Sequence, residues 1–150
     1  MLWTVTGPAR YDPGMDLADA RAFVRDHHRG VLTTFRTDGR PQLSPVLATV
    51  DEMGRLVVSS RETAYKVRNL RRDPRVSYCG FEDAFFGRWT QVDGTAEVVS
   101  LPEAMDGLVA YYRSVAGEHP DWDDYRAAMR AERRVLVVIT PERAGPNRSG

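Results

Sequence analysis

The chain has 150 residues, and its 21 basic residues are balanced by 21 acidic ones. A neutral total supplies none of the long-range field that non-specific attachment to nucleic acid or acidic membranes requires, so any anion must be held by local groups. The single cysteine, Cys79, excludes an internal disulfide; it lies in an apolar run without activating neighbours and reads as a small core residue in a reducing compartment. No apolar run reaches the length of a membrane span, and the opening has no basic-then-apolar leader. One domain over residues 1–150, in the cytoplasm, without a membrane or nucleic-acid partner, is the expectation.

Residues 1–14 form an irregular opening with Gly7, Pro8, Pro13 and Gly14, after which Asp16 is placed to cap a helix with Leu17, Ala20, Phe23 and Val24 on one face. A strand over 31–37, the turn Asp38-Gly39 and a second strand over 42–51 make a hairpin. Pro41 and Pro45 cannot donate to a ladder, which makes the second arm an edge or a bulged strand with backbone groups free for a ligand. Leu56, Val57 and Val58 read as a strand buried on both faces. Thr63 is placed to cap a short basic helix ending before Asp73-Pro74, and residues 75–81 and 88–99 are strands, the second bulged at Gly94. Ser100 and Glu103 have capping-box spacing ahead of a helix carrying Leu101, Met105, Leu108, Val109 and Tyr112. A further helical period with Trp122, Tyr125, Ala128 and Met129 follows, then the strand over 133–140 and a loose polar tail over 141–150. Six strands joined mostly by hairpin-length connections, with helices inserted, predict a mainly β chain with flanking helices, an α+β antiparallel barrel.

The chemistry-bearing stretch is SSRETAYKVRNLRRDPR, residues 59–75. Lys66 is the only lysine among basic residues that are otherwise all arginine, and a compact ammonium on a flexible stem suits a single phosphate. Arg68, Arg71, Arg72 and Arg75 read as a solvated or salt-bridged helix face, although salt-sensitive binding of single-stranded RNA is an alternative for them. His27, His28 and His119 lack metal-ligand spacing, and the phosphate-loop, dinucleotide and nucleophile-elbow motifs are absent. An anion corner without an acid, base or nucleophile set points to a bound cofactor that supplies the chemistry, so no catalytic side chain is named.

The strings GVLTTFRTDGRPQLSPV, ETAYKVRNLRRDPRVS, QVDGTAEVV, YYRSVAGEHPDWDDYRAAM and ERRVLVVITPERA together resemble the split β-barrel proteins related to pyridoxamine phosphate oxidase, and within them the actinobacterial branch that uses the deazaflavin coenzyme F420. The resemblance implies a homodimer of six-stranded antiparallel split barrels with cofactor sites at the subunit interface. It places the phosphate turn on Ser59, Ser60, Arg61 and Lys66, with Asn69 behind the helix start. It places the ring-lining strand on 42–47, through Gln42, Ser44, Pro45 and Val46. From the neighbouring subunit it brings Trp89, Gln91 and Arg134, the last toward the lactyl or glutamyl tail. The implied activity is hydride transfer from reduced F420 to an electron-poor small molecule. An FMN-dependent oxidase or flavin reductase, and an F420 carrier without turnover, are the alternatives. The tail PERAGPNRSG lacks the arginine-bearing segment that vitamin B6 oxidation uses in the family.

Overall fold

The computed structural model describes residues 13–84 and 86–145, with side-chain burial described from residue 17. Most of the irregular opening, the loop residue Phe85 and the last five residues of the expected tail lie outside the described residues. The elements are α1 (Pro13–Asp26), β1 (Arg29–Phe35), β2 (Pro41–Leu47), β3 (Thr49–Val50), β4 (Leu56–Arg61), α2 (Tyr65–Arg72), β5 (Arg75–Phe81), β6 (Trp89–Val99), α3 (Met105–Ala116), α4 (Trp122–Ala131) and β7 (Arg134–Ala144). Among the described residues no helix is long and apolar enough to cross a membrane.

The strands form one antiparallel sheet in the order β2-β1-β5-β6-β7-β4-β3. The expected second strand is divided at Ala48, which makes seven strands among the described residues in place of the expected six. Ala48 N–H donates to the His28 carbonyl at 2.8 Å, and the Ala48 carbonyl accepts from His28 Nδ1 at 2.9 Å. His28 thus claims both backbone groups at the point where the chain leaves β1 for β4. The two edges of the sheet, β2 and β3, are consecutive pieces of one run, so the sheet curls into a barrel that it closes only in part.

Alternation along the strands builds two cores. Leu32, Leu56, Val58, Val76, Tyr78, Val92, Val137 and Ile139 fill the barrel together with Ala20 and Val24 of α1. Val57, Leu136 and Val138 face the other way, against Leu108 and Val109 of α3 and Tyr125 and Met129 of α4. β4 is therefore buried on both faces, as its apolar run predicts.

Several local readings are corrected. α1 begins at Pro13, so Asp16 lies inside it and is not its cap. Ala64 precedes α2 with no side-chain cap, so Thr63 does not cap it. Ser100 and Glu103 do not form a capping box, because α3 begins at Met105. The Ser100 hydroxyl instead donates to Glu62 at 3.1 Å and accepts from Arg71 at 3.0 Å. The cap missed in the sequence is Asp121, whose carboxylate accepts from the Asp123 and Asp124 N–H groups at 3.1 Å. Cys79 is half-buried between Val31 and Gln91 on adjacent strands and is not a core residue. β7 continues to Ala144, so residues 141–144 belong to the sheet. Its register against β6 shifts between Asp93 and Gly94, where the bulge is predicted, with the extra residue on β7.

A Cβ on Gly94 would stand 2.4 Å from the Thr140 backbone oxygen, a contact that only movement of β7 could relieve. Gly94→Ala is expected to lower stability by about 1–3 kcal/mol, the usual range for overpacking, as read by urea denaturation. An unchanged midpoint would show that the bulge adapts freely.

Candidate cofactor site

β4 has a neighbour on each side only over its first two residues, where Leu56 pairs with Val50 and Val57 with Thr49. Continuing that register would set Leu47 opposite Ser59, but the strands part there. Tyr111 of α3 reaches into the gap: its hydroxyl donates to the Leu47 carbonyl at 2.8 Å and meets the Ser59 backbone. Burial pushes the Tyr111 hydroxyl above its ordinary pKa, offset in part by Ser59 and Arg134. Pro45 lies on the free edge of β2, where its missing N–H costs no ladder bond.

This split opens into a cavity of about 360 Å³. Pro45, Val46 and Leu47 line one wall and Ser59, Ser60 and Arg61 the other, with Lys66 from α2, Arg134 from β7, Ala64 and Tyr111 completing it.

Arg61 and Arg134 are directly paired on adjacent strands, so two like charges share one face. Glu132 lies between them, accepting from Arg134 Nε at 2.8 Å and standing 3.6 Å from an Arg61 Nη. Arg134, then Arg61, holds the Glu132 carboxyl below its usual pKa. The Lys66 ammonium makes no hydrogen bond or ion pair among the described residues. Burial, then the neighbouring Arg134, pulls its pKa below the ordinary lysine value. Three cations thus line one cavity in a chain whose total charge is zero, with Glu132 set between the two arginines. Ser60 is 3% exposed, and its Oγ is buried without a hydrogen-bond partner. A buried hydroxyl left unmatched costs free energy, as does a desolvated ammonium without a counter-ion. An anion with oxygens to share would relieve the cost at Lys66, and a phosphate fits the cations that Lys66, Arg61 and Arg134 bring to the cavity.

The cavity gathers Pro45, Val46, Ser59, Ser60, Arg61, Lys66 and Arg134 from among the residues singled out in the sequence. Arg134, expected from a neighbouring subunit, stands here in the same chain as Lys66. Ser44 is not on this wall: it is buried on the barrel side of β2, where Gln42 Nε2 donates to its Oγ at 2.8 Å. Gln42 and Asn69 border a separate cavity with Arg36, Tyr65 and Arg72. Asn69 Nδ2 donates to Thr34 Oγ1 at 3.1 Å, which ties α2 to β1. Trp89 and Gln91 also lie apart. Gln91 shares a row with Cys79, Val31 and Pro45, three strands from Pro45 and so about 14 Å away. The Gln91 amide donates to Asp93.

The arginines of α2, and Arg75 at the start of β5, are occupied elsewhere. Arg71 pairs with Glu62 at 2.5 Å, Arg75 with Asp73 at 2.8 Å, and Arg72 donates to the Phe35 carbonyl. Arg68 lies over the Tyr65 ring. Tyr111 and Glu132 are the site residues that the sequence did not reveal. The helical period put Tyr112 on the inner face, while Glu132 carried a local signal as the acid beside the Arg133-Arg134 pair. Among the described residues no three His, Cys, Asp or Glu side chains converge as metal ligands.

The profile of the family described as pyridoxamine 5'-phosphate oxidase matches residues 17–147. Among solved structures, the chain is similar to a conserved hypothetical protein from Mycobacterium tuberculosis, with 27% identity and a TM-score of 0.72 over 96% of this chain and 97% of that one. It is similar in fold to an F420 reductase, with 21% identity and a TM-score of 0.64 over 93% and 98%. It is likewise similar in fold to a heme storage protein from Vibrio cholerae, with 20% identity and a TM-score of 0.68 over 89% and 95%. The family match spans the barrel, the helices on its outer face and every residue lining the cavity in the split, and the chain belongs to the pyridoxamine 5'-phosphate oxidase family.

Proposed function

We propose that the chain is an F420-dependent reductase that works as a homodimer. The observation that carries this reading is the half-buried Lys66 ammonium, without a partner among the described residues, in the cavity that Ser60, Arg61 and Arg134 also line. Lys66, Ser60 and Arg61 hold the phosphodiester, with Ser59 at the same turn. Arg134 lies on the side from which an acidic tail would approach. Pro45 and Val46 offer apolar surface and an unpaired strand edge to the ring. When bound, the reduced deazaflavin supplies a hydride to an electron-poor double bond of a small organic substrate. The protein's contribution is to bind, orient and exclude water. The fold is shared with an F420 reductase, which is compatible with this cofactor, and the titration below decides between it and FMN.

Leu43, Leu47 and Phe81 are 61%, 44% and 39% exposed and lie on the outer sheet face that also carries Trp89 and Gln91. An apolar face of this kind supports a second copy as its cover, which would bring Trp89 and Gln91 of one chain toward the cavity of the other. Sedimentation is expected to give twice the chain mass, and a monomer at micromolar concentration would remove this part of the reading.

Fluorescence titration tests the cofactor. F420 is expected to bind, FMN much more weakly, and Lys66→Ala to lose about 1.5–3 kcal/mol of F420 affinity, the range for a charge-assisted hydrogen bond. Arg71→Ala, whose guanidinium is committed to Glu62, should bind F420 as the parent does. Tight FMN binding without response to F420 would overturn the reading.

Lys66 also carries a stability signature. Its folded pKa lies below its unfolded value of about 10.5, so the folded chain holds this proton less tightly. The protonated group therefore subtracts stability at every pH below the folded pKa, and the subtraction fades as pH rises toward 10.5. Lys66→Met is expected to raise the urea midpoint of the ligand-free protein at neutral pH, with the gain shrinking near pH 10. A gain independent of pH would trace to the added apolar surface instead of the removed charge.

A further inference from the structure

We propose that a second cavity, between the β3–β4 turn and α3, binds a small apolar molecule that carries no negative charge. It holds about 520 Å³, within the range of small-ligand sites. Val50, Val57, Leu136 and Ala110 line it, and Tyr111, which also lines the anion cavity, forms a wall common to the two. Gly107 brings α3 close to β7, since a Cβ there would stand 2.6 Å from Leu136 Cδ2. The polar pair in the lining, Thr49 Oγ1 and Ser114 Oγ, lies 2.5 Å apart and satisfies itself, so an apolar occupant leaves neither hydroxyl stranded.

Charge at the mouth decides which molecules enter. Asp51 is neutralised by Arg55, whose Nε donates to it at 2.8 Å, whereas Glu52 has no partner among the described residues. The rim is left with one excess negative charge, opposite in sign to the three-cation corner on the other side of Tyr111. Met53, 75% exposed at the mouth, offers a flexible apolar side chain that adapts to an occupant. Two adjoining cavities therefore sort ligand chemistry, one taking an anion and the other rejecting it. That the occupant is the organic substrate of the proposed reductase rests on that reading; binding itself does not.

The test uses the ligand-free chain and two fluorescent probes, uncharged Nile red and anionic anilinonaphthalene sulfonate. Nile red is expected to bind once per chain and more tightly than the sulfonate. Ala110→Trp, at an exposed position on the lining, is expected to weaken Nile red at least tenfold, and Ala127→Trp, exposed on α4 outside the cavity, to leave it unchanged. Glu52→Arg is expected to raise affinity for the sulfonate several-fold. The proposal is overturned if the sulfonate binds the parent as tightly as Nile red does, if Ala110→Trp binds Nile red normally, or if Ala127→Trp loses it equally. Because no step uses F420, failure here leaves the cofactor titration intact, and failure of that titration leaves this site standing.

Discussion

The site depends on a pairing that the sheet does not make. The run that forms β2 and β3 approaches β4 as if to close the barrel, yet the β3–β4 ladder stops after Val57, and the strand edges beyond it face a cavity instead of each other. Unpaired edges are usually a hazard, because free N–H and C=O groups recruit other strands. Here the gap is managed by particular groups: His28 ends β2 by taking both backbone groups of Ala48, Pro45 removes one donor, and the Tyr111 hydroxyl serves the Leu47 carbonyl. What remains is a slot whose backbone can serve a ligand.

The same strand pair explains why the slot is basic and firm. β4 and β7 are held from both sides, by the barrel core and by α3 and α4, so the end of the pair is fixed in position. That end places Arg61 opposite Arg134, and the first turn of α2 adds Lys66. Concentrating three cations in one corner subtracts from stability at Lys66, which is desolvated and has no counter-ion among the described residues. A fold selected for stability alone would have placed an acid beside it, as Arg71 on the same helix has in Glu62.

Much of this was legible in sequence, for identifiable reasons. The strands read well because period-two alternation and doubly buried apolar runs are local signals, and the family resemblance carried the topology that periodicity could not. Lys66 stood out by composition, and its neighbours by turning from strand to helix. Caps were less legible, because a Ser or Thr at cap spacing is free to choose another partner: Ser100 went to Glu62 and Arg71, across the fold. Asn69, expected behind the helix start, likewise spends its amide on a partner no local signal announces, Thr34, 35 positions away. Tyr111 had no signal at all, since helical periodicity identifies a face and not the depth to which one side chain reaches past it.

Tyr111 is also the wall that the two cavities share. A phenol tied at its hydroxyl to Leu47 and to the Ser59 backbone cannot swing freely, so the partition keeps a fixed thickness while α3 stays docked. Its burial keeps the hydroxyl protonated, and a neutral wall separates a basic compartment from an acidic rim without adding charge to either. A ligand anchored by its anion on one side and a neutral molecule on the other would meet across this wall. Selection between them then needs no moving lid; it follows from the opposite signs of two neighbouring surfaces fixed by one helix.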